Sequence, residues 1–384
     1  MMRNHKIIAA LAGVALLGSM AACTEPAPAP PAPPPATSTD APAPPPPTVS
    51  TPEVGFPADS AIGVSLPQKT SENWVRAENM FNEGLKAAGF KQIVQFADGG
   101  VTEQQAQISA MIEQNVQALV IGAIDGSQLG EQLSAAKAKG AYVIAYDRLL
   151  MNTPDVDLYV AYDPYRVGEL QGEALIKGLT EKGCNPCNIE LIAGSADDAN
   201  STPFFNGAMS KLQAKITDGS YVVVSGQTEF TQVATDGWLA QNAQNRFDTL
   251  LAAHYNTAVL DGVLSPNDTL ARAALTAISS AGKPQVVITG QDSEVESIKL
   301  ILEGKQYSTI NKDTGVLVNK NIDIIKGLQK GTQPTPNGEA LDNGKIKVPV
   351  VYLDPIIVTA ENVCTAYEGD TVVQEVLQQS GKCN

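Results

Sequence analysis

Asp147 and Arg148 follow directly on the apolar run Ala141-Tyr142-Val143-Ile144-Ala145-Tyr146. A carboxylate, a planar guanidinium with five donors and an aromatic ring therefore stand side by side. Such a set suits a small molecule carrying several hydroxyls, because each hydroxyl both donates and accepts. An Asp-Arg ion pair that ties down a loop is the competing reading. The run is continuous and β-branched in its middle, which predicts a strand buried on both faces of a parallel sheet. In open α/β sheets, residues just past the carboxyl ends of the strands meet the ligand.

The same rule collects a larger set along the chain. Lys69, Ser71 and Trp74 follow a predicted strand at 62–66, and Asp125 follows one at 119–121. Ser195, Asp197, Asp198 and Asn200, then Phe204 and Phe205, follow the strand at 189–192. Asn267 and Asp268 follow 262–264, Gln291 and Asp292 follow 286–289, and Asn311, Lys312 and Asp313 follow 307–310. Aromatic faces stack on the C–H faces of a sugar ring while fixed polar groups take its hydroxyls. Each member also has a purely structural reading. Ser71 and Asp268 suit helix N-caps. Trp74 shares a helical stripe with Phe81, and Phe204 and Phe205 cannot both face inward from one helix. Trp238 opens a long helix and fits either role.

The elements that must position these residues alternate regularly. Helices are expected at 72–88, with Trp74, Ala77, Phe81, Leu85 and Ala88 on one face, and at 103–114, with Ile108, Met111 and Ile112 buried. A third is expected at 128–139, and strands at 93–96 and 142–146 complete this half. The second half repeats the rhythm, with strands at 189–192, 221–224, 262–264 and 286–289 and helices at 204–214, 232–253 and 270–280. Two successive βαβαβ runs imply two doubly wound parallel sheets, an α/β fold in two lobes, with a hinge near Ala161-Tyr162-Asp163. A ligand then sits between the lobes, where the carboxyl edges face one another.

Residues 1–22 read as an export signal, with Arg3, His5 and Lys6 ahead of an apolar stretch at 7–20 that is short for a membrane span. Met20-Ala21-Ala22-Cys23 resembles a lipobox, which makes Cys23 the lipidation site and the membrane a partner through a lipid anchor. An ordinary signal cleaved near Ala22 is the alternative. Residues 24–57 are rich in Pro, Ala, Thr and Ser and form a stalk that spans roughly 100 Å if fully extended. The formal net charge of −15 argues against a nucleic-acid partner. Besides Cys23, four cysteines remain, and in an oxidising compartment the economical pairing is Cys184–Cys187 and Cys364–Cys383. A zinc knuckle and a redox pair compete for the CxxC. Zinc lacks further ligands nearby, and a redox CxxC normally opens a helix rather than preceding a strand. No metal or cofactor is expected.

The runs Val143-Ile144-Ala145-Tyr146-Asp147-Arg148-Leu149 and Asn188-Ile189-Glu190-Leu191-Ile192-Ala193-Gly194-Ser195-Ala196-Asp197-Asp198-Ala199-Asn200 resemble the periplasmic monosaccharide-binding proteins of ABC importers. So do Leu264-Ser265-Pro266-Asn267-Asp268, Ser297-Ile298-Lys299 and Gln306-Tyr307-Ser308-Thr309-Ile310-Asn311-Lys312-Asp313-Thr314. The resemblance is to the multiple-sugar-binding and xylose-binding branch of the ribose-type (type I) fold, over residues 61–359. It implies ligand contacts at Lys69, Trp74, Asp125, Asp147, Arg148, Asn200, Asn267, Asp292 and Lys312, with aromatic neighbours at Phe204 and Trp238. The segment Asp198-Ala199-Asn200-Ser201-Thr202-Pro203 departs from the family pattern. The resemblance also implies three hinge crossings, near 162–163, 311–314 and 347–350. The expected division is a first lobe of 58–162 plus 312–348 and a second of 163–311 plus 349–384. The implied function is a lipid-anchored monomer on the outer face of the cell membrane. It would bind a monosaccharide such as xylose, glucose, galactose or arabinose and deliver it to an importer permease. A sensor presenting its closed form to a chemoreceptor or two-component partner is the alternative. An exported glycosidase is the third reading, disfavoured because nothing marks a general acid.

Overall fold

The computed structural model describes residues 55–383. The expected signal, Cys23 and the stalk up to residue 54 lie outside the described residues. The expected stalk boundary at 57 is too late. Gly55 N donates to Leu328 O at 2.8 Å, and Phe56 packs on Phe90 with ring centroids 6.3 Å apart. An aromatic side chain with an apolar neighbour to cover joins the body, so the fold has begun by Gly55.

The first half runs β1 (Ala61–Leu66), α1 (Glu72–Ala87), β2 (Lys91–Phe96), α2 (Val101–Glu113), β3 (Ala118–Ile121), α3 (Gly130–Ala138), β4 (Tyr142–Tyr146) and β5 (Leu158–Tyr162). The strands pair in parallel in the order β2-β1-β3-β4-β5. Alternate residues serve opposite faces. Ile62, Val64, Ile144 and Tyr146 pack with Phe81 and Leu85 of α1, whereas Leu119, Ile121, Val143 and Ala145 pack with Ile108, Met111 and Leu133 of α2 and α3. With helices on both faces, β3, β4 and β5 are buried at every position, and β2 at the edge is not.

The second half runs α4 (Pro164–Lys182), β6 (Cys187–Leu191), α5 (Ser201–Thr217), β7 (Tyr221–Val223), α6 (Phe230–Val233), α7 (Ala240–His254), β8 (Gly262–Leu264), α8 (Asp268–Ser280), β9 (Val287–Ile288), α9 (Val295–Leu302) and β10 (Ser308–Asn311). The parallel order is β7-β6-β8-β9. β10 continues it through Tyr307 N to Ile288 O and Ile310 N to Gly290 O, both 3.1 Å. Helix α4 was not anticipated, although its start is well signalled. Asp163 Oδ1 accepts from Tyr165 N (3.0 Å) and Arg166 N (3.3 Å), and Pro164 needs no hydrogen-bond partner in the first turn. Helices α4 and α5 meet backbone to backbone at Gly168 and Gly207. A Cβ at Gly207 would lie 2.1 Å from Tyr165 O, and one at Gly168 2.0 Å from Phe204 O.

The expected helix at 232–253 is three pieces: α6, a single 3-10 turn at Asp236–Trp238, and α7. Gly237 sits at φ 62° and donates its N–H to Ser195 Oγ (2.8 Å), while Trp238 is at φ 56°. A left-handed pair cannot continue a right-handed helix. The apolar periodicity hid the break.

The chain then returns to the first lobe. Helix α10 (Thr314–Gln329) packs on α1, with Ile322 against Gly84. A hairpin of β11 (Leu341–Asp342) and β12 (Lys347–Val348) leads to β13 (Val350–Leu353), which extends the first sheet parallel to β5. β14 (Ile356–Thr359) lies antiparallel to β10, and α11 (Thr371–Gln379) follows. This corrects the expected boundary at 348/349 and the expected crossing at 347–350, because β13 belongs to the first sheet. The apolar run Val350-Val351 buries itself beside β5, and Pro355, without an N–H, cannot extend the ladder. The crossing is at Asp354-Pro355. Both expected disulfides, Cys184–Cys187 and Cys364–Cys383, are present.

Candidate functional site

The carboxyl ends of both sheets converge on one cleft. Thr70, Ser71, Asn73 and Trp74 line it from the start of α1, and Asp147 and Arg148 from the end of β4. Across from them stand Asp198, Phe204 and Trp238, then Asn267 after β8, Gln291 and Asp292 after β9, and Lys312 after β10. Water-sized space among these side chains amounts to only about 20 Å³, so the two lobes touch each other directly. A larger depression of about 320 Å³, among Glu181, Gln285, Tyr307 and Glu361, gathers no such set of buried charges.

Three carboxylates and two cations interlock in the cleft. Arg148 Nε stands 2.9 Å from Asp198 Oδ2, and its NH1 donates to Ala123 O at 2.9 Å. Lys312 Nζ lies 3.4 Å from Asp147 Oδ2 and 3.2 Å from Asp292 Oδ1. Burial pulls the Lys312 ammonium down, but Asp147 and Asp292 together outweigh it and hold its pKa above the usual lysine value. Burial pushes the Asp198 and Asp292 carboxyls up, against the opposing pull of Arg148 and Lys312 respectively. Asn200 crosses between lobes, with Nδ2 donating to Asp147 O (2.8 Å) while Oδ1 accepts from Tyr159 OH (3.1 Å).

Aromatic rings frame these charges. Trp74 packs edge-on against Tyr146, itself edge-on to Phe81, and the Arg148 guanidinium lies 5.2 Å from the Trp74 ring centre. Lys312 Nζ is 5.6 Å from the Phe204 ring. Trp238 Nε1 donates to Asp198 Oδ2 at 3.2 Å, and its ring lies where a side chain at Gly194 would be, 2.1 Å from a Cβ there. Asp147 (φ 61°), Trp238 (φ 56°) and Asp292 (φ 92°) all occupy the left-handed region. Such conformations cost free energy in non-glycine residues and persist where surrounding contacts impose them, commonly at binding sites.

Of the expected ligand residues, Trp74, Asp147, Arg148, Phe204, Trp238, Asn267, Asp292 and Lys312 meet in the cleft. Lys69 does not line it. Its ammonium lies 4.5 Å from the Phe96 ring and 3.9 Å from Glu78. Asp125 does not line it either, because its carboxylate closes its own turn on Ser127 N (2.9 Å) and Gln128 Nε2 (2.6 Å). Asn200 holds the lobes together from behind the lining. The cap expected at Asp268 falls on Asn267, which lines the cleft and also caps α8 by accepting from Leu270 N (2.9 Å), whereas Asp268 is buried and accepts from Glu294 N and Thr309 Oγ1. Ser71 makes no capping bond, and its hydroxyl donates to Asn73 Oδ1. The expected split of Phe204 and Phe205 is observed, since Phe205 packs on Phe230 inside the second lobe. Asp198 and Gln291 stood in the strand-end set but were not carried into the expected ligand set. Asn73 was not singled out at all.

A family model described as a periplasmic binding protein domain matches residues 62–333. The chain belongs to the periplasmic binding protein family. Among its relatives is a multiple sugar-binding periplasmic protein, SbpA, of Azospirillum brasilense, 40% identical over 78% of this chain and 86% of that protein. The multiple sugar-binding periplasmic receptor ChvE of Rhizobium radiobacter is 39% identical over 80% of this chain and 89% of its own. Among solved structures, an ABC transporter solute-binding protein from Clostridium phytofermentans with bound β-D-glucose is 35% identical. It covers 85% of this chain and 98% of its own, with a TM-score of 0.77. As a periplasmic binding protein, the chain has a two-lobe body whose cleft charges fall where this fold type places ligands, at the carboxyl edges of the sheets.

Proposed function

We propose that this protein is an exported, lipid-anchored monomer that closes on a neutral monosaccharide and presents the closed form to an ABC importer permease. The observation that carries the reading is the interlocked set Asp147, Arg148, Asp198, Asp292 and Lys312, contributed by both lobes and framed by Trp74, Phe204 and Trp238. Sugar hydroxyls replace such charge-to-charge contacts well because each one serves a carboxylate and a cation together. Trp74 would cover one face of the ring. Contacts divided between lobes are complete only on closure, so ligand shifts the hinge equilibrium by its differential affinity for the closed form. Each cleft carboxylate has a cation within 3.4 Å, which favours binding over glycosidase chemistry. The sugar-binding relatives support the same class. The motif Met20-Ala21-Ala22-Cys23 supports the anchor.

Thermal unfolding against D-xylose, D-glucose, D-galactose and L-arabinose tests this. A sugar present at ~1,000 times its dissociation constant stabilises the fold by about 4 kcal/mol. No shift with any of them, after carried-over ligand is removed by unfolding and refolding, contradicts the reading. The name of the ChvE relative, a receptor, favours signalling as a second role. Deleting the neighbouring permease separates the two: uptake is lost in either case, and a sugar response that persists marks the sensor.

A further inference from the structure

Outside the cleft, the first turn of α1 is joined to the second lobe by two sets of contacts that sugar recognition does not use. Glu72 N donates to Glu294 Oε1 at 3.2 Å, and Val295 N donates to Glu72 Oε2 at 2.7 Å. Glu72 opens α1 and Val295 opens α9. The residue before each, Ser71 and Glu294, makes no side-chain cap to its own helix. Each helix start therefore receives its capping carboxylate from the other lobe, which satisfies orphan N–H groups and complements both helix dipoles. One turn along α1, Arg76 NH1 lies 2.7 Å from Asp370 Oδ2, whose side chain is 4% exposed. Asp370 caps α11 within the terminal segment that Cys364–Cys383 staples, and Tyr367 OH donates to Ser293 Oγ at 2.8 Å.

We propose that Glu72, Arg76, Glu294 and Asp370 form a closure latch that sets how long the protein holds its sugar, with the stapled C-terminal segment as its second-lobe half. These four are positioning residues, since none lines the cleft. Glu72 and Arg76 bracket Asn73 and Trp74, which do line it, so fastening the start of α1 fixes those two side chains over the ligand. Glu294 is already committed within the second lobe to Arg272 and Thr269, and so offers α1 a rigid acceptor. The latch forms only when the lobes meet, so its free energy adds to closure and appears in the dissociation rate. The inference rests on the reading of a sugar-closed receptor.

The test uses Glu72→Ala/Arg76→Ala in the full-length protein in detergent micelles; both side chains lie on the partly exposed side of α1. Both tryptophans of the chain line the cleft, so intrinsic fluorescence reports sugar capture and release. Stopped-flow with whichever of D-xylose, D-glucose, D-galactose or L-arabinose binds the unaltered protein is expected to show release roughly tenfold faster in the double variant, with association changed less than about twofold. Arg76→Lys is expected to recover part of the loss. Spin labels at exposed Lys86 and Glu375 read the interlobe distance without sugar, and the variant is expected to shift toward longer distances. Unchanged release together with unchanged distances overturns the latch, as does a slower association that alone accounts for the weaker binding. If none of the four sugars binds the unaltered protein, the sugar reading fails. The label distances then decide the latch, unchanged distances overturning it.

Discussion

Two carboxylates share one ammonium in the cleft, and that sharing governs the behaviour of single residues there. Asp147→Asn removes one of the two charges on Lys312, so sugar affinity is expected to fall by roughly 10- to 100-fold by calorimetric titration, about 1.5–3 kcal/mol, the size of a hydrogen bond to a charged group. Asp292 behaves differently with pH. Its folded pKa lies above the ordinary carboxylate value of 3.8, because burial outweighs the pull of Lys312. The fold therefore binds that proton more tightly than the unfolded chain does, and the group's contribution to stability falls as pH rises from about 4 through the raised value. The melting temperature of the unaltered protein minus that of Asp292→Asn is expected to decrease between about pH 4 and 7. An increase over that range means that Lys312 dominates instead. The strand-end rule gathers most of the cleft residues because it depends only on where strands stop. It could not give side-chain direction, and Lys69 and Asp125 are the result. Both sit at the correct edge, but each found a nearer partner, Glu78 and the turn at Ser127. Asp198 and Asn200 share one loop, and only their bonds show that Asp198 faces the cleft while Asn200 bridges behind it.

Continuous apolar runs and clear helical stripes were legible, although the buried face of α4 was not read as a helix. The all-buried strands β3 and β4 are continuous apolar runs, α1 carries the periodic stripe of Trp74, Ala77, Phe81 and Leu85, and all three appear where these patterns placed them. Elements specified by contacts distant in sequence were not legible. β13 takes its sheet from β5 almost two hundred residues earlier, so its apolar run was assigned to the wrong lobe. The break before α7 depends on Ser195, which meets Gly237 only in three dimensions. The α4–α5 contact depends on small residues that apolar patterning does not register. Gly207→Ala would drive a methyl against Tyr165 O, and backbone cannot yield as a side-chain tip can. Urea unfolding is expected to show a loss of about 1–3 kcal/mol. Phe204 on the same helix would be displaced, so sugar affinity should fall with stability. A stable variant with unchanged affinity contradicts the tight backbone contact.

At the scale of the whole molecule, the cleft draws its lining from both lobes. Arg148 reaches Asp198, Asn200 reaches Asp147, and Lys312 joins Asp147 to Asp292 at the crossing after β10. The chain passes between lobes at Tyr162-Asp163, after Asn311 and at Asp354-Pro355, so closure needs only a few backbone torsions to change. The proposed function requires sugar to be held by both lobes together. The most direct measurement is calorimetric titration of D-xylose, D-glucose, D-galactose and L-arabinose into the protein and into two single variants, Asp147→Ala in the first lobe and Gln291→Ala in the second. One sugar per chain and a loss of at least about tenfold in affinity from either variant alone are expected. No binding by any of the four sugars, or binding indifferent to one lobe's substitution, would contradict the proposed function.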